Sequence, residues 1–112
     1  MSLELYRRLW ERRAEELRNL WATLERLRAR ARELDPGAQV YVFGSFARGT
    51  HRPDSDVDVL VVTSLAETEE GRLHVRAELG RILSPYSPIE LHIATPEQFA
   101  WYLQFLDVYV EV

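Results

Sequence analysis

Two acids stand two residues apart near the middle of the chain, in the run Asp56-Val57-Asp58-Val59-Leu60-Val61-Val62. The β-branched content reads as a strand, and side chains on a strand alternate with period two. Both carboxylates therefore emerge on one face, while Val57, Val59 and Val61 point to the other. Ile89–Ala94 alternates in the same way, with Ile89, Leu91 and Ile93 set against Glu90 and His92. If these strands are neighbours and share a core face, Glu90 joins Asp56 and Asp58. Three converging carboxylates are costly unless cations neutralise them. Hard divalent ions with oxygen ligands, Mg²⁺ above all, are the natural solution. Two such ions would clamp the attacking and leaving oxygens of a phosphoryl-type displacement.

Gly44-Ser45 supplies the other half of such a site. It follows the short run Gln39-Val40-Tyr41-Val42-Phe43 directly. Glycine there permits a sharp turn and close approach of a ligand to the backbone. Ser45 offers a hydroxyl, and Phe46-Ala47-Arg48 could form a helical turn whose free N–H groups cradle phosphate oxygens. Arg48 could add a charged fork to the same anion.

These groups need a scaffold, and the rest of the chain predicts one. Residues 3–34 lack Gly and Pro and are rich in Leu, Arg, Glu and Ala, so they read as one long helix, about 48 Å if unbroken. Its apolar residues follow a heptad: Leu3, Trp10, Leu17, Leu24 and Ala31 on one row, Tyr6, Leu20, Leu27 and Leu34 on the other, broken only by Arg13. Asp35-Pro36-Gly37 ends the helix. Strands are expected at 39–43, 56–63 and 89–94, and a helix at 65–83 with Glu67, Glu69 and Glu70 in its first turn. A second helix starts at Thr95-Pro96-Glu97 and continues to Leu106. Asp107–Val112 reads as a fourth strand on its β-branched content.

At this point the sequence resembles a known family. Gly44-Ser45, ten intervening residues, then Asp56-Val57-Asp58 is similar to the signature of the polymerase-beta nucleotidyltransferase superfamily. The string GSFARGTHRPDSDVDVLVV looks like its minimal nucleotidyltransferase branch. The resemblance implies an α+β fold, a small mixed sheet of three to four strands with helices on one face. It implies transfer of a nucleoside monophosphate, AMP from ATP above the other nucleotides, to a hydroxyl, with release of pyrophosphate. Gly44 and Ser45 would hold the triphosphate, with Arg48 beside them. Asp56 and Asp58 would bind two Mg²⁺ ions. Glu90 would be a third ligand or the general base. Many relatives carry Asp at that third position, and Glu reaches one methylene further. The resemblance also implies a partner, an all-helical HEPN-type toxin for which this chain is the antitoxin and whose tyrosine could be the acceptor.

Composition bounds the alternatives. With 112 residues the chain reads as a single domain, residues 1–112, divided into the helix at 1–37, a catalytic core at 38–98 and a tail at 99–112. No cysteine is present, which excludes a disulfide framework and a thiolate metal site. All fourteen basic residues are Arg, so lysine chemistry is excluded as well. Residues 38–112 hold five Arg against eleven acids, which speaks against a basic nucleic-acid surface there. No apolar run approaches the ~20 residues of a membrane span, and Met1–Leu9 carries charges throughout, so the expected location is the cytoplasm. His51 and His74 read as surface residues, His92 as a polar strand residue, and Trp10, Trp21 and Trp101 as packing or interface aromatics. The long helix outreaches a domain roughly 30 Å across. Residues 17–34 are therefore expected on the sheet, and residues 3–13 on a HEPN-type partner or a second copy. Two other functions compete: a non-catalytic binding antitoxin, and a nucleotidyltransferase acting on a small molecule such as an aminoglycoside.

Overall fold

The computed structural model describes residues 2–112. Helices α1 (Leu3–Arg18) and α2 (Leu20–Leu34) lead into strand β1 (Gln39–Phe43), which runs straight into the short helix α3 (Gly44–Arg48). Strand β2 (Val57–Val62), a 3₁₀ turn at Ser64–Glu67 and helix α4 (Glu69–Gly80) follow. Strand β3 (Ile89–Ala94), helix α5 (Pro96–Tyr102) and strand β4 (Tyr109–Glu111) complete the chain. The sheet order is β3-β2-β1-β4. β2 and β3 run parallel, and the other two pairings are antiparallel. This is the expected small α+β fold with a four-stranded mixed sheet. No helix among the described residues is long and apolar enough to cross a membrane.

Period-two alternation divides the sheet as predicted. Val40, Val42, Val57, Val59, Val61 and Ile93 form the main core with Leu20, Leu24, Leu27 and Ala31 of α2 and Val75 and Leu79 of α4. The opposite face carries a smaller cluster of Tyr41, Leu60, Val62 and Ala94. Here α5 contributes, since Phe99 stacks on Tyr41 at 4.6 Å between ring centroids. The two longer helices of the sheet layer thus share one face, and the short α5 covers one end of the other. What α5 leaves open on that second face is the edge bearing Asp58 and Glu90.

The long N-terminal helix is interrupted once. Asn19 leaves helical torsions (φ −98°, ψ 12°), although its N–H still donates to Glu15 and Thr23 N–H donates to Asn19. The Thr23 hydroxyl also donates to the Asn19 carbonyl at 3.2 Å. Such back-bonding competes with the regular ladder and bends helices. The bend separates two environments: α2 buries four residues in the core, while α1 buries none. Its Leu3, Leu5, Tyr6, Leu9 and Trp10 are all exposed. The molecule measures 46 Å along its longest axis and 29 Å across the next.

The helix expected at 65–83 is also split, and threonines explain it. Thr63 Oγ1 accepts from Leu65 N–H and Thr68 Oγ1 accepts from Gly71 N–H, so each starts its own helical segment. The helix expected to reach Leu106 ends at Tyr102 and continues as turns.

A polar lock closes the base of the sheet. The hydroxyl of buried Thr63 donates to Asp35 Oδ2 at 2.7 Å, and Gly37 N–H donates to Asp35 Oδ1 at 3.0 Å. The Thr63 bond, above all, holds the Asp35 carboxyl below the ordinary carboxylate range. A depressed carboxyl pKa stabilises the fold above the unfolded value of ~3.9, and that contribution is lost as pH falls through the folded value. Asp35→Asn should therefore cost about 1 kcal/mol at neutral pH, with the deficit closing below about pH 4. Urea midpoints of both proteins at pH 7 and pH 3 check this. A deficit that widens in acid would reject it.

Candidate active site

The site is assembled at one end of the sheet, where β1 ends and β2 and β3 begin. In register, Phe43 faces Asp58 and Asp58 faces Glu90. Both acids lie on the sheet face opposite the helical layer, with Val57 and Ile89 turned into the core beneath. The valine-rich strand is held on both sides, by β1 and by β3, so the position of Asp58 is fixed by two ladders.

Gly44 lies against Asp58. Its φ of +75° is a left-handed conformation that side-chain-bearing residues rarely adopt. A Cβ at Gly44 would collide with Asp58 Oδ2. The turn from β1 into α3 therefore brings bare backbone against the carboxylate. Ser45 is the second residue of α3, and its carbonyl accepts from Thr50 N–H at 2.9 Å. The first N–H groups of this helical turn lack intrahelical acceptors.

Asp58, Glu90 and His92 bring one ligand atom each within 4.8 Å of one another. His92 Nε2 lies 3.3 Å from Asp58 Oδ1 and 3.9 Å from Glu90 Oε1. Its ring leans on Phe43 at 5.2 Å between centroids. Two carboxylates and an imidazole within this span suit a divalent cation. Sequence reasoning placed His92 on the Glu90 face but gave it no role. His92 pairs in register with Leu60 and still reaches Asp58, a diagonal contact that alternation along one strand does not reveal.

Asp56 stands apart from that group. It precedes β2, its side chain is 63% exposed, and its nearest cation is Arg13 Nη2 at 3.8 Å. Arg13 is the residue that breaks the apolar heptad, and the structure shows why it is there. Arg13 Nε donates to Pro53 O at 2.8 Å and Arg13 Nη2 donates to Ser55 O at 2.6 Å. One planar fork from α1 thus spans two carbonyls of the loop that carries Asp56. His51 assists, with Nε2 3.2 Å from Ser55 O and its ring against Phe46. His51 is therefore a half-buried brace and not the free surface residue expected. His74 is exposed as expected.

Arg48 does not pair with Asp54 or Asp56. It lies 3.6 Å from Asp107, ahead of β4, and stays largely exposed. It is close to the turn holding Ser45 and is tied to the acid by a single weak ion pair, worth ~0–1 kcal/mol at a surface.

The Arg13 fork makes a direct prediction. Charge-assisted hydrogen bonds contribute about 1.5–3 kcal/mol each, and Lys cannot span two carbonyls as a guanidinium does. Arg13→Ala should speed amide hydrogen exchange across residues 51–56 at least about tenfold, and Arg13→Lys should fall near Ala. Unchanged exchange in both variants would show that the loop orders itself.

Residues 24–108 match the family model described as nucleotidyltransferase domain. A crystal structure of a candidate nucleotidyltransferase superposes with a TM-score of 0.68 at 22% identity, covering 79% of this chain and 95% of its own. A candidate nucleotidyltransferase from Sulfolobus solfataricus superposes with a TM-score of 0.62 at 18% identity, covering 89% of this chain and 85% of its own. At such identities the structural likeness speaks for the fold. No curated protein matches the chain significantly.

Proposed function

The chain belongs to the nucleotidyltransferase domain family, and on that premise we propose that it transfers AMP from ATP to a hydroxyl on a partner protein, with Mg²⁺ as the assisting ion. The observation that carries this reading is Gly44 backbone set against Asp58, with Glu90 opposite Asp58 in register. A phosphate-binding turn and a cation site are thereby adjacent. The paired carboxylates of Asp58 and Glu90 fit a hard divalent ion. When bound, such ions offset the charge of the triphosphate and of the pyrophosphate that leaves.

The protein's own groups supply the rest. Ser45 Oγ and the open N–H groups at the start of α3 grip the triphosphate, and Arg48 can exchange its exposed bond to Asp107 for a phosphate oxygen. Glu90, more exposed than Asp58, takes the proton from the acceptor hydroxyl. The acceptor oxygen forms a bond to the α-phosphorus, the bond from that phosphorus to the bridging oxygen breaks, and pyrophosphate departs with the electron pair. Asp56, held through the Arg13-braced loop, completes the acidic rim.

The acceptor in this reading is a tyrosine of a HEPN-type helical protein, which makes the chain its antitoxin in the cytoplasm. The exposed apolar residues of α1, Leu5, Tyr6, Leu9 and Trp10, support a protein partner. They equally favour a second reading, neutralisation by binding alone. One experiment separates these. The protein is incubated with Mg²⁺, each α-labelled nucleoside triphosphate in turn, and the product of the neighbouring gene. Label from ATP on that product is the expected result. Label in a small-molecule fraction would move the acceptor class, and absence of any label would leave the binding reading.

A further inference from the structure

The family's acidic set does not account for the imidazole at the centre of this one. His92 is half-buried, its ring is fixed on one side by Phe43, and Nε2 points between two carboxylates, 3.3 Å from Asp58 Oδ1 and 3.9 Å from Glu90 Oε1. Donors around a single ion at bond lengths of ~2.1 Å lie about 3–4.2 Å apart. His92 Nε2 has that spacing to both carboxylates, and the three ligand atoms all lie within 4.8 Å of one another. Asp56, by contrast, lies outside the cluster with Arg13 beside it.

We propose that His92 Nε2 is a direct ligand of the ion held by Asp58 and Glu90, so that this position prefers Mn²⁺-class ions to Mg²⁺. Mg²⁺ takes oxygen ligands and gives up its waters reluctantly, whereas first-row transition ions gain from an imidazole nitrogen. The proposal rests on the reading of Asp58 and Glu90 as a cation site, and is independent of whether a nucleotide is transferred.

The test uses the full chain and Mn²⁺ alone. Pulsed EPR of bound Mn²⁺ should show ¹⁴N modulation from an imidazole nitrogen. His92→Gln should abolish that modulation and weaken Mn²⁺ binding roughly tenfold, while Mg²⁺ affinity, read by competition, shifts less than about threefold. Bound Mn²⁺ without ¹⁴N coupling in the wild-type protein overturns the proposal, and this spectrum decides the matter even if the variant does not fold. Modulation that persists in His92→Gln, equal weakening of both ions, or no Mn²⁺ binding at millimolar concentration also overturns it. Nitrogen-coupled Mn²⁺ in a protein that transfers no label from any triphosphate supports the ligand assignment while removing the catalytic reading.

Discussion

Asp58→Asn should reduce nucleotidyl transfer about a thousandfold or more while leaving the fold intact. The two halves of this result have separate causes. Asp58 sits between Phe43 and Glu90 in a sheet held on both sides, so an isosteric amide keeps its place. It still accepts from His92 where the carboxylate did. What is lost is the negative charge that a cation needs. Like charges directly opposite one another on neighbouring strands destabilise a sheet by ~0.2–1 kcal/mol. Removing one of the Asp58–Glu90 pair should thus leave the melting temperature unchanged or slightly raised. A site that costs stability until it is loaded is the usual signature of function over fold. Label transfer and thermal melting of the same preparation check both halves. Transfer within tenfold of wild type would remove Asp58 from the chemistry, and a collapsed melting curve would give it a structural role instead.

Much of this geometry was legible because it is local. Period-two alternation placed Asp58 and Glu90 on one face and the valines on the other, and the parallel register of β2 and β3 then set them opposite each other. The Gly44-Ser45 turn was legible from a glycine directly after a β-branched run. The rest was long-range. Arg13 looked like a flaw in an apolar seam, because nothing in a heptad says that Pro53 and Ser55 carbonyls will lie beside it. Arg48 found Asp107, an acid from the far end of the chain, since β4 pairs with β1 next to α3. The Asn19 bend depends on one threonine hydroxyl competing for one carbonyl, a balance too fine for helix propensity to resolve. In each case the sequence carried the residue, and the partner was set by topology.

Gly44→Ala tests that topology from the other side, and its effect should be the largest of any conservative change outside the acids. Two glycines adopt left-handed torsions, Gly44 at φ +75° and Gly49 at φ +77°. For an alanine this conformation alone costs ~1–2 kcal/mol. A Cβ at Gly49 meets nothing within 4 Å, so Gly49→Ala should show that backbone cost and little else. At Gly44 the new methyl collides with the Asp58 carboxylate, which must rotate or the strand must yield, adding about 1–3 kcal/mol of overpacking. Transfer should fall at least about a hundredfold, because the displaced carboxylate is the one that holds the cation in the proposed reaction. The double variant isolates the cause. With Asp58→Ala the offending oxygen is gone, and the two methyl-bearing positions are separated by an ordinary van der Waals contact of 3.6 Å. The cost of Gly44→Ala in that background should drop toward that of Gly49→Ala, a coupling of about 1–2 kcal/mol by urea unfolding. Equal costs at the two glycines, or no recovery in the double variant, would mean that Gly44 serves the turn alone. Recovery would identify its absent side chain as the space that Asp58 occupies.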